Sequence, residues 1–421
     1  MPLPTRIICR LPSPRSGPDV NERPESSRPL RCRVDARMRS LEEQGLRRTL
    51  RPPAGIDLSS NDYLGLARDP RIKAAMAAAV EREGAGSTGS RLLSGERDSF
   101  AALERRFAQF KGTESALYFS SGYLANIAVM TTFAETGDVI VSDAHNHASL
   151  IDGIRLSPAR RHIFPHNDIA AVRRALEGQA GQAGQAGEAD EGRPGPFGPG
   201  GECFVVVESL FSVDGDEAPI GDYAELCAQS GAHLIVDEAH AVGIYGSRGS
   251  GLIEEHGETE QVFVSINTAG KALGVAGAFV AGPAWAIEYL IQRARPFIFS
   301  TAPPPALASA IYASLTLVEQ EPERRERVRE LAARLRSRLT TAGVPIGPGT
   351  SHIVPVLVGD NDAAVAVAGT LQRDGFDVRA IRPPTVPPGT ARLRVSVNAN
   401  LTEDLIEQFV VSLTSALAGR I

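Results

Sequence analysis

The segment Val262-Phe263-Val264-Ser265-Ile266-Asn267-Thr268-Ala269-Gly270-Lys271-Ala272-Leu273-Gly274 decides the fold. It opens as a short apolar run, the pattern of a strand buried on both faces, and turns into a small-residue loop around one lysine. A second strand, Leu234 to Val236, runs into Asp237-Glu238-Ala239-His240. Gly270, Ala272 and Gly274 leave room for a planar ring beside a mobile amine. An acid at the end of a neighbouring strand can keep a ring nitrogen protonated. A Schiff-base lysine and an acidic pyridinium partner are the protein's share of pyridoxal 5'-phosphate (PLP) chemistry.

Outward from that pair, short apolar strands alternate with helical stretches. Leu117-Tyr118-Phe119, Val139-Ile140-Val141 and Phe204 to Val207 are three further strands. Helical spacers between them predict right-handed βαβ crossovers, a mostly parallel sheet and an α/β fold. Ala278-Phe279-Val280-Ala281 follows the lysine loop too closely for a helical crossover, so that strand is expected to be antiparallel. Residues 1–37 are rich in Arg, Pro and Ser and are expected to form a disordered tail, with Met38 as an alternative start. Residues 38–60 form an N-terminal segment and 61–302 a large cofactor-binding domain. The Gly-Gln-Ala repeat and Pro/Gly run at 178–201 read as a flexible insertion within it. Pro303-Pro304-Pro305 punctuates the start of a smaller α/β domain, 303–421, with a charged helix around Glu319 to Thr340 and strands at Ile353 to Leu357 and Ala391 to Val397.

With 421 residues, 43% hydrophobic and 22% charged, the chain can build more than one domain around a large core. A net charge of -6 argues against a broad nucleic-acid footprint. No apolar run approaches the roughly 20 residues that span a bilayer. Cys9, Cys32, Cys203 and Cys227 have no zinc spacing and fit a reducing cytoplasm.

Asp237-Glu238-Ala239-His240 also spells a helicase box, but that box needs a phosphate loop ending in G-K-[ST]. Here Gly270-Lys271 is followed by Ala272, and Ser265 stands where the first glycine belongs. Asp143-Ala144-His145-Asn146-His147 lies just past a strand. Nothing nearby completes a metal-ligand set. It reads as an imidazole stacking on a flat cofactor, or as a surface histidine pair. Ser121-Gly122-Tyr123 stands between a strand and a helix, where backbone N–H groups bind phosphate. In Phe211-Ser212-Val213-Asp214-Gly215-Asp216, Asp214-Gly215 is a turn signal and Ser212 a donor toward a cofactor oxygen.

Taken in order, Asn61-Asp62-Tyr63-Leu64-Gly65-Leu66, 84–95, 211–220, 236–251, 268–274 and 382–394 resemble the α-oxoamine synthases. These are PLP-dependent transferases of fold type I, with a large domain and a smaller C-terminal α/β domain. The resemblance runs from about Met38 to the C-terminus, apart from the insertion. It implies that Lys271 carries the cofactor, Asp237 pairs with its ring nitrogen, and His240 and Ser212 reach its ring hydroxyl. His147 would stack on the ring. Gly122, Tyr123 and Thr268 would serve the phosphate, and Thr301 the phosphate of the other subunit in a homodimer with a shared site. Arg47, Asn61, Thr385 and Arg394 would face the substrate, Arg394 as a bidentate clamp on a carboxylate. Ala269 stands where many members have Phe, Leu or Ser.

Within that family the likeness is to the branch serving biotin biosynthesis. It implies decarboxylative condensation of L-alanine with a pimeloyl thioester, carried by coenzyme A or an acyl carrier protein. Lys271 would act as the base, which requires its pKa to fall from about 10.4. The alternatives are a sister enzyme such as glycine C-acetyltransferase or a serine palmitoyltransferase-like enzyme, an aminotransferase, and a catalytically silent partner subunit. Lys271 itself argues against the last.

Overall fold

The structure, a computed structural model, describes residues 28–183 and 201–418. The remainder of the expected tail (1–27) and of the expected insertion (184–200) lies outside the described residues. Two compact units divide the chain at Pro52 and Pro53. In the first, an exposed helix spans Arg28–Glu43. The tail expected over 1–37 therefore gives way to helix from Arg28, because Arg, Leu, Met and Glu dominate once Pro29 has supplied a helix start. Arg47 belongs to this unit and pairs with Glu42 at 3.0 Å, both exposed.

The second unit carries every other predicted site residue. Its strands are β1 (Ile56–Asp57), β2 (Ser115–Phe119), β3 (Val139–Asp143), β4 (Arg160–Phe164), β5 (Cys203–Glu208), β6 (His233–Asp237), β7 (Val262–Thr268), β8 (Ala278–Gly282), β9 (Ile353–Gly359), β10 (Phe376–Asp377), β11 (Arg379–Ile381) and β12 (Ala391–Ser396). The large sheet has seven strands in the order β2-β8-β7-β6-β5-β3-β4. Pairs among β3 to β7 are parallel, whereas β8 runs antiparallel to both β7 and β2. The short link after Lys271 dictates that reversal, as the sequence predicts.

Alternation along the strands builds two cores. Val205 and Val207 join one cluster and Phe204 and Val206 the other. Every residue of β5 is buried, since helices cover both faces. Helix Gly122–Phe133 packs on the second face, alongside Ile235, Val264 and Ile266. Counting on by two, Glu208, Asp237 and Thr268 reach the ends of β5, β6 and β7 on that same face. The C-terminal ends of parallel strands thus deliver three polar groups beside one helix start.

Helix Ala306–Gln320 packs into the large core through Ile311, Leu315 and Val318. Val328 on the following helix and Ile353 join the same cluster. The charged helix expected from Glu319 is Pro322–Thr341, interrupted from its predecessor by Glu321 and Pro322. A smaller sheet, β11-β12-β9, is antiparallel. Its own cluster includes Leu58, brought in by the parallel β1–β10 pair. On β12, Leu393 and Val395 enter that cluster, which turns Arg392, Arg394 and Ser396 to the opposite face.

Candidate active site

Asp237 ends β6 with 5% of its surface exposed. Its Oδ1 accepts from the backbone N–H of Ala239 at 2.9 Å, and its Oδ2 accepts from Asn126 Nδ2 at 2.8 Å. Asn126 lies on helix Gly122–Phe133 and donates its other proton to Ser149 Oγ at 2.9 Å. Ser149 Oγ lies 2.7 Å from His147 Nδ1. One amide therefore fixes both the acid and the histidine predicted to stack on the cofactor. His147 caps helix Ala148–Leu156. Partial desolvation of its imidazole lowers its pKa, the charge of Asp237 opposes that, and Lys271 adds to it.

Lys271 Nζ lies 2.6 Å from His240 Nε2. Burial lowers the lysine to about 8, against the opposing pull of Asp237 and Glu208. The fall in basicity thus begins with burial and precedes any cofactor charge. His240 is driven well below its ordinary value, first by burial and then by Lys271 and Arg394. It is neutral at physiological pH.

The small residues around Lys271 serve different ends from those expected. A Cβ on Gly274, where φ is +67°, would lie 2.5 Å from the backbone nitrogen of Ala67. Ala272 is fully buried, and a Cβ on Gly243 would meet its Cβ at 2.7 Å. Both positions therefore close the loop onto the protein. Gly270 is the one that faces open space: its nearest neighbour would be Thr268 Oγ1 at 3.7 Å. A planar ring has room there.

Ser121 caps helix Gly122–Phe133, its hydroxyl accepting from Leu124 N at 3.3 Å. Among the described residues, no group of the chain accepts from the N–H of Gly122 or Tyr123. The Thr268 hydroxyl stands beside Gly122, 3.8 Å from where a Cβ would sit. Two open amides, a hydroxyl and a helix start are the kind of group that can hold an anion. The Tyr123 phenol itself points elsewhere and donates to Asp152.

Arg394 on β12 reaches into the same set. Its Nε donates to Ser212 O at 2.5 Å, its NH1 to Asn61 Oδ1 at 3.1 Å and Ser396 Oγ at 2.7 Å, and its NH2 to Tyr63 Oη at 3.2 Å. A guanidinium has five N–H donors. Four are engaged, which leaves one for a ligand. Strand alternation points Arg394 at the Ser212 loop and Asn61.

The structure joins Lys271, His240, Asp237, His147, Asn61 and Arg394 through contacts and charges, with Thr268, Gly122 and the Ser212 backbone at their margin. Thr301 and Thr385 are exposed and stay outside the hydrogen-bonded set. Sequence reasoning missed Tyr63, Asn126 and Glu208. Tyr63 was visible only as part of Asn61-Asp62-Tyr63, and Glu208 only as the acid ending a core strand.

A family profile described as "Aminotransferase class I and II" matches residues 53–413. The chain is 42% identical over 397 residues to the 8-amino-7-oxononanoate synthase of Anaeromyxobacter dehalogenans strain 2CP-1, covering 91% of this chain and 95% of that one. Among solved structures, a serine palmitoyltransferase variant from S. paucimobilis with a bound PLP–myriocin aldimine aligns with TM-score 0.82 at 28% identity. That alignment covers 92% of this chain and 97% of the other. The 8-amino-7-oxononanoate synthase of Francisella tularensis aligns with TM-score 0.71 at 26% identity, covering 87% and 98%. Matched over residues 53–413, with its lysine loop and strand-end acid on the large sheet, the chain belongs to the aminotransferase class I and II family.

Proposed function

We propose that the protein condenses L-alanine with a pimeloyl thioester, releasing carbon dioxide and the thiol carrier, to form 8-amino-7-oxononanoate for biotin synthesis. The observation that carries this is the buried Lys271 amine, lowered to about 8 and set 2.6 Å from His240. The substrate class follows the relatives, which carry the name 8-amino-7-oxononanoate synthase at 41–42% identity.

Pyridoxal 5'-phosphate, when bound, supplies an electron sink for negative charge at the α-carbon of the amino acid. The residues present fit it. Lys271 is the covalent anchor, Asp237 the partner of the ring nitrogen, His147 the stacking ring, and Gly122, Tyr123 and Thr268 the phosphate cradle. Near neutral pH a fraction of Lys271 is already uncharged, so the amine can take the α-proton. The α-carbon then bonds to the acyl carbon, the carbon–sulfur bond breaks, and the thiol leaves. The bond to the carboxylate breaks next, and Lys271 returns a proton to the α-carbon. Arg394 orients the carboxylate with its remaining N–H, and Asn61 and Thr385 border the same substrate. Arg47 is placed at the entrance by resemblance alone.

The protein acts as a cytoplasmic homodimer in which Thr301 serves the neighbour's phosphate. Its exposure suits a residue whose partner is another chain. No helix among the described residues is long and apolar enough to cross a membrane. Among the described residues Cys32, Cys203 and Cys227 are unpaired with one another.

A serine palmitoyltransferase-like reading is favoured by the TM-score of 0.82. Mass spectrometry of products separates the two. Alanine with pimeloyl thioester should give 8-amino-7-oxononanoate. Product only from serine with a long-chain acyl-CoA would overturn the assignment.

A further inference from the structure

Tyr63 is fully buried, and three polar groups converge on its hydroxyl. His240 Nδ1 lies at 2.7 Å, Asn61 Oδ1 at 2.9 Å and Arg394 NH2 at 3.2 Å, while the His352 ring packs edge-on at 4.1 Å between centroids. We infer that Tyr63 is a positioning residue that fixes His240 as its Nδ1–H tautomer, so that Nε2 faces Lys271 as an acceptor.

The donor inventory forces this assignment. Arg394 only donates. Its NH1 lies 3.1 Å from Asn61 Oδ1, which sets the Asn61 amide with its oxygen toward both the guanidinium and Tyr63. A phenol has one proton. An oxygen of Asn61 at 2.9 Å from the phenol oxygen must receive that proton, because two acceptors at that distance would repel. The Tyr63 oxygen is left with lone pairs alone for its other neighbours. One accepts from Arg394 NH2. The other accepts from His240 at 2.7 Å, so the hydrogen on the imidazole resides on Nδ1.

His240 is neutral, so Nε2 carries a lone pair. At 2.6 Å from Lys271 Nζ, it accepts a hydrogen from the amine and cannot donate one. The tautomer depends only on residues of this chain. If pyridoxal 5'-phosphate binds as proposed, His240 Nε2 would be among the groups that meet it. His352 completes the arrangement. Both of its ring nitrogens are buried without a hydrogen-bond partner among the described residues, and burial lowers it to about 3. It therefore holds the Tyr63 ring by packing and competes for none of the hydrogens.

The test is nitrogen NMR of the full chain carrying ring-labelled histidine, without cofactor and then with PLP bound. The His240 signals are identified by their loss in His240→Gln. In the wild type, Nε2 should show the shift of an unprotonated, pyridine-type nitrogen and Nδ1 that of a protonated one. Tyr63→Phe keeps the packing against His352 and removes the acceptor. It should lower the Nδ1–H population at least several-fold. Asn61→Leu frees the phenol proton to turn toward Nδ1 and should move His240 to the Nε2–H form. A protonated Nε2 in the wild type would overturn the inference, even if neither variant folds. So would an unchanged tautomer in a folded Tyr63→Phe protein. Failure of the product assay would remove the proposed reaction while leaving the tautomer standing.

Discussion

Glu208 and Asp237 face each other in register at the ends of two adjacent parallel strands. Burial first, and the charge of Asp237 second, raise the Glu208 carboxyl to about 8 against the opposing charge of Lys271. Glu208 thus stays protonated through most of the neutral range, and Asp237 is the carboxylate left to meet a cation. A carboxyl protonated in the folded chain but ionised in the unfolded one stabilises less as pH rises from about 4.3 to 8. Glu208→Gln should fold and lose less stability than wild type over that window. Thermal melts at pH 5 and pH 8 check this. Equal losses in both proteins would show that Glu208 ionises freely.

Lys271→Ala should abolish turnover, and borohydride should fix no cofactor to the variant. In the wild type, peptide mapping should find the reduced adduct on Lys271. An adduct on another lysine would remove Lys271 from the site.

Asp237→Asn preserves the hydrogen bond from Ala239 but cannot retain a proton on a ring nitrogen. The turnover number should fall by about 100-fold or more, within the range for losing a preorganised electrostatic partner. The melting temperature should change little. Near-normal kinetics in the folded variant would refute the pairing.

Breaking the ion pair beneath the site should cost stability. Lys111 and Glu238 pair with 2% and 0% of their side chains exposed. Glu238 also accepts from Ile253 N at 2.9 Å. Lys111→Met would leave a buried carboxylate without its cation, at a cost of about 3–5 kcal/mol. Urea unfolding measures that loss, and a change below 1 kcal/mol would mean that the carboxyl finds a proton or another donor.

His166 holds two loops of the site together. Its Nδ1 lies 2.9 Å from Asp143 Oδ1 and its Nε2 2.7 Å from Asp216 Oδ2, while His145 stacks on it at 4.1 Å. Burial opposes its charge, but the two carboxylates outweigh burial and raise it to about 10. The folded chain therefore keeps a proton that the unfolded chain releases near 6.5. This contribution is complete below that pH and disappears as pH rises toward 10. His166→Gln should flatten the decline in melting temperature between pH 7 and 10. A decline as steep as that of wild type would exclude His166 as its source.

Much of the fold was legible in the chain because it depends on local pattern. Five short apolar runs named the strands Ser115–Phe119, Val139–Asp143, Cys203–Glu208, His233–Asp237 and Val262–Thr268. The link after Lys271, too short for a crossover, determined the direction of Ala278–Gly282. Lys271, Asp237, His240 and His147 stood out because their chemistry is rare and each sits at a strand end or just past one. Tertiary structure decided what depends on segments distant in sequence. Asn61, Tyr63 and Arg394 meet only because alternation along Ala391–Ser396 turns one arginine away from its own core and toward Ser212. That meeting engages four of its donors and leaves Tyr63 to set the hydrogen on His240. Burial, too, is a property of the folded chain: it lowers Lys271 and raises Glu208, shifts that no count of residues along the sequence contains.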